Sequence, residues 1–154
     1  MSKISPDRSA TSGWIEHDIH HLPIRVYYED TDFSGRVYHA SYLRFCERGR
    51  SELLRHYGYS HLDLAKEKNT SSVLFFAVHH MDINFLASAE IDNVLTVHSQ
   101  FTGSSGARLF INQNISNGDD PVLRANVTVV SLDSNGRPCR LPTKLRSIQL
   151  NAFS

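Results

Sequence analysis

The chain has few cysteines and no long apolar run. Two of its 154 residues are cysteine, Cys46 and Cys139, and they form neither a CxxC motif nor part of a spaced Cys/His quartet. This excludes a disulfide framework and a structural zinc site, and it is typical of a reduced cytosolic protein. No run of about 18 apolar residues is present, so the sequence predicts neither a transmembrane helix nor a signal peptide. We therefore expect a cytoplasmic protein without membrane insertion.

The chain also lacks an excess of charge of either sign. Sixteen basic and sixteen acidic side chains cancel, so no overall field attracts nucleic acid or a membrane surface. The length and the 40% hydrophobic content are those of one globular domain with its own core. We expect a flexible polar leader over residues 1–22, which includes His17, His20 and His21, and a single domain over residues 23–154.

Hydrophobic periodicity predicts one strand, one long helix and then several strands. The segment Ile24–Tyr28 is rich in β-branched and aromatic residues, as strands are. Apolar residues at spacings of three and four follow Ser41, the predicted N-cap, and stop at Gly58. A short helical connection is predicted over HLDLAKEKN, and from residue 72 the pattern alternates. SVLFFAVHHMDINFL is predicted to be a long strand with small or apolar residues at odd positions, buried on both faces at its start. Turn signals follow at TGSSG, SNGDDP and DSNGRP. The C-terminal KLRSIQL is predicted to be an edge or closing strand.

A single helix cannot cover both faces of so large a sheet. We therefore predict an α+β fold in which an antiparallel sheet curves around the helix, with a second copy of the chain covering the remaining apolar surface. Gly49 lies in the apolar stripe of the helix, where glycine lowers helix propensity. We expect the sheet to pack closely against the helix backbone at this position.

The segment YYEDTDFSGRVYHASYLRFCERGRSELLR, from Tyr27 to Arg55, carries three acids and a glycine just before the helix. It resembles the signature of the YbgC-type, Tol-Pal-associated acyl-CoA thioesterases, relatives of 4-hydroxybenzoyl-CoA thioesterase. The resemblance implies the hotdog fold, in which a curved antiparallel β-sheet wraps a long central helix. It also implies hydrolysis of acyl-CoA to a free carboxylic acid and coenzyme A, with active sites at a dimer interface.

By position, the resemblance implies that Asp32 is the catalytic carboxylate and that Tyr28 and His39 support it. Thioester hydrolysis needs a nucleophile or an activated water, and donors directed at the oxygen that gains charge. A carboxylate can attack the carbonyl or act as general base, and the sequence leaves both open. Gly35 allows a tight turn from Asp32 toward the first helical turn, whose N–H groups form a ready oxyanion site.

Each acid and aromatic residue of the loop also has a purely structural interpretation. Acids before a helix commonly cap it or interact with its dipole. We expect Glu29 and Asp30 to be loop and surface residues of this kind, whose like charge raises the pKa of Asp32. Tyr28 is equally typical of a packed strand aromatic. His79 and His80 lie in mid-strand, where alternation predicts that they point to opposite faces and have structural roles.

We expect no cofactor and no metal. The loop acids are consecutive, and no second ligand group accompanies them. Coenzyme A belongs to the substrate, and its phosphates would meet surface cations, of which the nearest cluster in sequence is Arg137, Arg140, Lys144 and Arg146. Glu47 and Arg50 are expected on a solvated helix face or in an intersubunit salt bridge. The sequence leaves open coenzyme A or acyl carrier protein as the carrier, and homodimer or homotetramer as the assembly.

Two other functions remain open at this point. A hotdog dehydratase or hydratase of acyl thioesters would need a histidine base paired with an acid on the helix, and His39 with Glu47 is the candidate pair. A non-catalytic binding module for acyl chains or acyl carrier protein would bind the same ligands without turnover. Release of free thiol from an acyl thioester distinguishes a thioesterase from both alternatives.

Overall fold

A computed structural model describes residues 11–60 and 75–147 of the chain. The predicted helical connection HLDLAKEKN lies outside the described residues. Six strands and two α-helices follow one another in the described part: β1 Trp14–Glu16, β2 Ile19–Arg25, α1 His39–His56, β3 Phe75–Phe85, β4 Val94–Ser105, β5 Arg108–Asn117, β6 Asp120–Leu132 and α2 Thr143–Ser147. A 3₁₀ turn, Tyr28–Asp30, lies between β2 and α1.

The six strands form one antiparallel sheet in the order β1-β2-β4-β5-β6-β3. Helix α1 contacts β2 and β4. Between them lies the apolar core, to which the helix contributes Phe45 and Leu53 and the central strands contribute Leu95, Ile111 and Leu123. The predicted α+β arrangement of one long helix on an antiparallel sheet is confirmed.

The apolar stripe predicted for the helix is buried, from Tyr42 through Phe45 and Gly49 to Leu53. A Cβ atom built on Gly49 would lie 2.7 Å from Cγ1 of Val97 and 2.9 Å from Oγ of Ser99. Such distances are shorter than any ordinary contact, so only glycine lets the helix come this close to β4. The predicted close approach of the sheet is confirmed.

The helix begins earlier than predicted. Its N-cap is Tyr38, and Ser41 lies inside the helix, with its N–H donating to the Tyr38 carbonyl at 2.8 Å. The prediction of Ser41 as N-cap is wrong because a backbone contact fixes the helix start without a capping hydroxyl: the Tyr38 N–H donates to the Asp30 carbonyl at 2.9 Å. The predicted end of the helix is confirmed, since Gly58 follows the C-cap residue, Tyr57, with a φ of +88°.

The N-terminal predictions are wrong in two respects. Strand β2 runs from Ile19 to Arg25, not from Ile24 to Tyr28, and residues from Trp14 onward are paired in the sheet rather than forming a flexible leader. The alternation of β2 is hard to see in the sequence because one of its buried positions is a histidine, His20. Residues 1–10 of the predicted leader lie outside the described residues.

Strand β3 is an edge of the sheet and contains a bulge. Its pairing with β6 shifts register between Val78 and His80, so Val78 lies opposite Val129 while Met81 lies opposite Val127. The bulge moves the inward-facing positions from even to odd numbers, and the predicted single alternation of odd apolar residues is therefore wrong. The predicted burial on both faces at the start of the strand is also wrong where the structure describes it, because each residue from Phe75 to Val78 is exposed or half-buried. Residues 72–74 of the predicted strand lie outside the described residues.

The predicted C-terminal strand is a short helix over its described part. The N–H groups of Leu145 and Arg146 both donate to the carbonyl of Pro142, which turns the chain at the start of α2. Residues 148–150 of the predicted strand lie outside the described residues.

Both cysteines are free. Cys46 belongs to the buried stripe of α1, and desolvation raises the pKa of its thiol to about 11. No helix in the described residues combines the length and apolar character needed to cross a membrane.

Replacing Gly49 by alanine is expected to destabilise the protein, although alanine favours a helix by up to about 1 kcal/mol. The added Cβ must displace atoms of β4, and overpacking of this kind costs about 1–3 kcal/mol. The free energy of unfolding, measured by urea denaturation at one protein concentration, tests this. Gly103→Ala is the matched control, because its Cβ would meet its nearest neighbour at 3.6 Å. A Gly49→Ala variant as stable as the wild type would contradict the expectation.

Candidate active site

Asp32 begins a tight turn that ends at Arg36. The Asp32 N–H donates to the Arg36 carbonyl at 3.0 Å, and the Gly35 N–H donates to the Asp32 carbonyl at 3.0 Å. Gly35 has a φ of +77°, a conformation that glycine adopts without strain. Inside the turn the carboxylate Oδ1 of Asp32 accepts hydrogen bonds from the N–H and the hydroxyl of Ser34, at 2.8 Å and 2.6 Å. The turn predicted at Gly35 is present and holds the carboxylate in one orientation.

The turn is attached to the helix through a neighbouring loop. Arg36 forms a backbone bridge with Glu90, and the Val37 N–H donates to the Ala89 carbonyl at 2.9 Å. The Ala89 N–H in turn donates to the buried hydroxyl oxygen of Tyr42, on the first turn of α1, at 3.0 Å. These bonds fix the position of the turn relative to the N-terminus of α1.

A second turn of the same construction occurs between β6 and α2. The Asp133 N–H donates to the Arg137 carbonyl at 2.9 Å, the Gly136 N–H donates to the Asp133 carbonyl at 3.0 Å, and the Asn135 N–H donates to Oδ1 of Asp133 at 2.8 Å. The turn is therefore a structural unit that does not by itself indicate catalysis. What distinguishes Asp32 is its surroundings at the start of α1.

The Asp32 carboxyl is fully exposed and its pKa is lowered. The cause is first the Ser34 hydroxyl and then the Ser34 N–H, with smaller electrostatic contributions from Arg36 and His39. The predicted increase of this pKa by Glu29 and Asp30 is wrong, because the pKa is lowered, chiefly by hydrogen bonds from Ser34 to the ionised form. Asp32 is consequently a carboxylate at neutral pH, the form that a nucleophile or a general base requires.

Asp30 has a structural role. Its side chain is buried, and Oδ2 accepts a hydrogen bond from the Tyr27 N–H at 2.8 Å. Its carbonyl accepts from the N–H of Tyr38, the N-cap of α1. Asp30 thus closes the 3₁₀ turn and anchors the helix start, in agreement with its prediction as a loop residue but not as a surface one.

His39 is the first residue of α1 and is exposed close enough to Asp32 to affect its titration. Its ring lies 4.4 Å from that of Tyr38. The first N–H groups of a helix have no acceptor within it, and among the described residues those of His39 and Ala40 donate to no other backbone oxygen. A carboxylate, an imidazole and two backbone donors therefore meet at the start of α1.

Tyr28 is 83% exposed and belongs to the 3₁₀ turn, so its interpretation as a packed strand aromatic is wrong. No hydrogen bond among the described residues joins its hydroxyl to Asp32. Its role in the site stays a prediction. His79 and His80 are both exposed and lie beside the bulge, which removes the regular alternation on which their predicted opposite orientation depended.

The loop is surrounded by exposed apolar side chains. Phe33, at the tip of the Asp32 turn, is fully exposed, although the equivalent position of the second turn is a serine, Ser134. Other exposed apolar residues come from the loop, from the nearby end of β3 and from the segment that follows it: Tyr27, Tyr38, Phe85, Leu86 and Ile91. A patch of this kind indicates a surface that is covered in the working protein.

The basic cluster predicted to meet the phosphates of coenzyme A does not join the site within one chain. Arg137, Arg140, Lys144 and Arg146 follow β6 at the end of the sheet where Leu132 pairs with Phe75, whereas the Asp32 turn lies beside the opposite end of β3. No cluster of three or more His, Cys, Asp or Glu side chains in the described residues is arranged to hold a metal ion.

Arg50 was not identified from the sequence as a buried residue. Its side chain is 7% exposed and donates to Oε1 of Gln113 at 3.0 Å, so the prediction of a solvated helix face is wrong for Arg50 and holds for Glu47. Arg50 lies four residues after Cys46, on the same side of α1 as the buried stripe. This four-residue spacing from Cys46 is the feature of the sequence that could have identified Arg50 as buried.

Comparison with known proteins identifies the family. The profile of the thioesterase-like superfamily matches residues 26–149. The chain is 39% identical over 125 residues to the acyl-CoA thioester hydrolase YbgC of Escherichia coli, spanning 80% of this chain and 90% of the relative. It is 45% identical to a probable thioesterase from Bartonella henselae, whose crystal structure superposes with a TM-score of 0.76 over 80% of this chain and 99% of that one.

A more distant structure supports the fold alone. A 4-hydroxybenzoyl-CoA thioesterase variant in complex with 4-hydroxybenzoyl-CoA is 16% identical, with a TM-score of 0.76 over 85% of this chain and 98% of that one. The helix, the sheet and the acidic loop thus form a hotdog thioesterase architecture, as predicted. The chain belongs to the thioesterase-like superfamily and, within it, to the YbgC family of acyl-CoA thioesterases.

Replacing Ser34 by alanine is expected to raise the pKa of Asp32 toward the ordinary aspartate value of about 3.9. The variant loses the hydroxyl that contributes most to the lowering but keeps the backbone donor. Because the folded-state pKa is lowered, the carboxylate interactions are complete above the ordinary pKa and are lost as the pH falls through the folded value. A ¹³C-carboxyl NMR titration measures the midpoint, with Ser134→Ala as control. An unchanged midpoint in Ser34→Ala would show that another group sets this pKa.

Proposed function

We propose that this member of the acyl-CoA thioesterase family hydrolyses an acyl-CoA thioester to a free carboxylic acid and coenzyme A, with Asp32 as the reacting carboxylate. The observation that carries the proposal is an ionised, oriented Asp32 carboxylate near the start of α1, where two backbone N–H groups donate to no backbone oxygen of the described residues. No bound cofactor is needed, since the coenzyme is part of the substrate.

The geometry is compatible with two forms of the reaction. In the first, an Asp32 oxygen adds to the thioester carbonyl, the coenzyme A thiolate leaves, and water hydrolyses the resulting mixed anhydride. In the second, Asp32 removes a proton from a water that adds to the carbonyl, after which the thiolate leaves and the acid is released. In both, the N–H groups of His39 and Ala40 stabilise the carbonyl oxygen as it gains charge. His39 donates a proton to the thiolate.

The dehydratase alternative is disfavoured within one chain. His39 and Glu47 are separated by eight positions on α1, which corresponds to about 12 Å along the helix axis at about 1.5 Å per residue. An acid at that distance cannot hydrogen-bond the imidazole. An acyl carrier protein in place of coenzyme A would leave the chemistry at Asp32 unchanged.

The proposed working form is a homodimer in the cytoplasm. Among the described residues, strand β3 pairs with β6 on one side only, and Val78 and Phe85 on it are exposed. Pairing of two β3 edges about a two-fold axis would satisfy the backbone groups of both edges. The same contact would cover part of the apolar patch around the Asp32 turn.

The first test replaces Asp32 by asparagine and follows thiol release from a panel of acyl-CoA substrates. Asparagine can still accept the Ser34 hydrogen bonds, so the turn is retained while the charge is lost. We expect kcat/KM to fall by at least about a hundredfold, or about 2.7 kcal/mol of transition-state stabilisation.

The matched control is Asp133→Asn. It makes the same chemical change in the second turn, which has the same construction but lies away from His39 and the start of α1. Its activity is expected to remain within about twofold of the wild type, because a surface change of this kind alters stability by less than about 0.5 kcal/mol. Hydrolysis that survives in Asp32→Asn would refute the role of Asp32. The absence of hydrolysis in the wild type would favour a binding module.

The mass in solution tests the dimer. We expect light scattering to give at least twice the 17.4 kDa of one chain. Val78→Glu is expected to weaken the dimer, because it places one negative charge from each subunit near the proposed two-fold contact between the β3 edges. An exposed site on the opposite edge, Glu16→Lys in β1, serves as control. A monomeric wild type would contradict the proposed assembly.

A further inference from the structure

The described part of the chain brings four histidines together at the edge of the sheet opposite β3. His20 and His21 lie on β2, His98 lies on the neighbouring strand β4, and His56 is the last residue of α1. The rings of the first two contact β1 or the residues just before it. The chemistry at Asp32 uses none of the four.

His20 holds the chain that leads into β1. Its ring is fully buried, and Nε2 donates a hydrogen bond to the Ser12 carbonyl at 2.8 Å. Because a carbonyl only accepts, the hydrogen of a neutral ring lies on Nε2. The other nitrogen, Nδ1, is buried and has no hydrogen-bond partner among the described residues. This place therefore suits a neutral ring and not a cation, whose second N–H would have no acceptor.

The chain before β1 lies directly against the His20 ring. A Cβ atom built on Gly13 would lie 2.9 Å from Cε1 of His20, and Gly13 has a φ of +69°, so glycine is required here. Burial lowers the pKa of His20; the Ser12 carbonyl opposes this effect, and the nearby rings of His56 and His21 add to it. Protonation of His20 is thus coupled to the departure of the chain that covers it.

His21 and His98 form a second connection to β1. Their Nδ1 atoms lie 2.9 Å apart, a distance at which one nitrogen donates a hydrogen and the other accepts it. The His21 ring stacks on the ring of Trp14 in β1, with centroids 5.5 Å apart and an interplanar angle of 10°. On its other side His98 is held by a hydrogen bond between Nε2 and the Ser116 hydroxyl at 2.9 Å. Strands β4 and β5 therefore fix the ring on which Trp14 lies.

The pair of rings tolerates one positive charge and not two. A charged His21 would still donate to a neutral His98 and would still stack on the Trp14 indole, a favourable arrangement for a cation. A second charge, on His98, would make both Nδ1 atoms donors and would place two cations at hydrogen-bonding distance. Burial and then the neighbouring His21 lower the pKa of His98 accordingly. The closed arrangement requires a neutral His98.

Among the described residues no acidic side chain offsets a charge on either ring. The acids on the adjoining elements are Glu16 and Asp18 in the β1–β2 hairpin, which are exposed, and Glu52, which is ion-paired within α1. None of them raises the pKa of His20 or His98. The positions around His98 on β4 and β5 carry neutral side chains: Thr96, Gln100 and Asn114. A proton on either ring is therefore uncompensated while β1 is in place.

We propose that His20 and His98 form a pH-dependent latch, which keeps β1 on the sheet at neutral pH and releases it in mildly acidic conditions. Each ring is neutral while β1 is in place and takes up a proton once β1 has left, so acid favours the released state. Release exposes Trp14 and frees backbone groups of Ile19–His21 along the edge of β2. The latch lies at the opposite edge of the sheet from β3 and does not depend on the proposed hydrolysis at Asp32.

The lowered pKa values set the direction and the steepness of the pH dependence. The closed state has its full stability above the ordinary histidine pKa of about 6.5 and loses stability as the pH falls below that value. A proton that binds only in the open state raises the opening equilibrium constant about tenfold for each pH unit. Two such histidines together raise it by up to about a hundredfold per unit.

Hydrogen exchange of the β1 amides, corrected for the pH dependence of the intrinsic exchange rate, measures the opening equilibrium constant. We expect this constant to rise more than about tenfold per pH unit between about pH 6 and about pH 5, which requires more than one proton. The amides of β5, in the interior of the sheet, are the internal control and should keep their protection. A constant that is independent of pH, or an equal change in β1 and β5, overturns the latch.

Replacement of single histidines tests which rings bind the protons. We expect His20→Gln and His98→Gln each to reduce the dependence to about tenfold per pH unit or less, because each removes one titrating ring. His80→Gln, at an exposed histidine of β3, is the matched control and should retain the wild-type dependence. If the buried position does not accept His20→Gln, the half-buried His98→Gln decides by itself. An unchanged dependence in His98→Gln refutes its part in the latch.

Trp14 gives an independent measurement, because it is the only tryptophan of the chain. A charged ring can quench a stacked indole without any movement, so accessibility to acrylamide is followed instead of intensity. We expect the quenching constant to rise at least about twofold from about pH 7 to about pH 5, as the indole leaves the His21 ring. An acrylamide accessibility that stays constant over this range would show that β1 is not released.

Discussion

The close approach of α1 to the sheet at Gly49 is the contact on which the other features of the structure depend. With only a hydrogen on this residue, β4 reaches the helix backbone, and Gln113 of β5 can bond the Cys46 carbonyl within the helix. The same contact sets the depth at which the helix lies, and with it the position of its first turn beside Asp32. A larger residue would move both the helix start and Arg50 away from the surfaces they face.

The sequence predicted the fold well wherever a residue's neighbours along the chain decide its structure. The buried stripe of α1, its end at Gly58 and the turn at Gly35 follow from spacing and from glycine's backbone freedom. Prediction failed where contacts between residues distant in sequence determine the local structure. The helix starts at His39 because the Tyr38 N–H finds the Asp30 carbonyl, a bond between loop residues that no local pattern reveals.

The site shows the same division between local and distant causes. The Asp32 turn could be predicted from DFSGR, but the second turn in DSNGR shows that this chemistry is common to a structural unit. The function of Asp32 depends on the elements beside it, namely the helix donors and His39. The direction of its pKa shift was predicted wrongly because counting nearby acids ignores the Ser34 donors, which act at hydrogen-bonding distance. Buried Arg50 was missed because a charged residue in a helix is usually assigned to solvent.

The exposed edge of β3 links these observations. A monomer would leave that edge unpaired within the described part of the chain, and the aromatic residues around the Asp32 turn in water. Both are unfavourable in one chain, and the proposed two-fold contact along β3 would relieve both. The bulge between Val78 and His80 fits this arrangement, because it turns Phe76 and Val78 toward the helix side while Met81 continues the core.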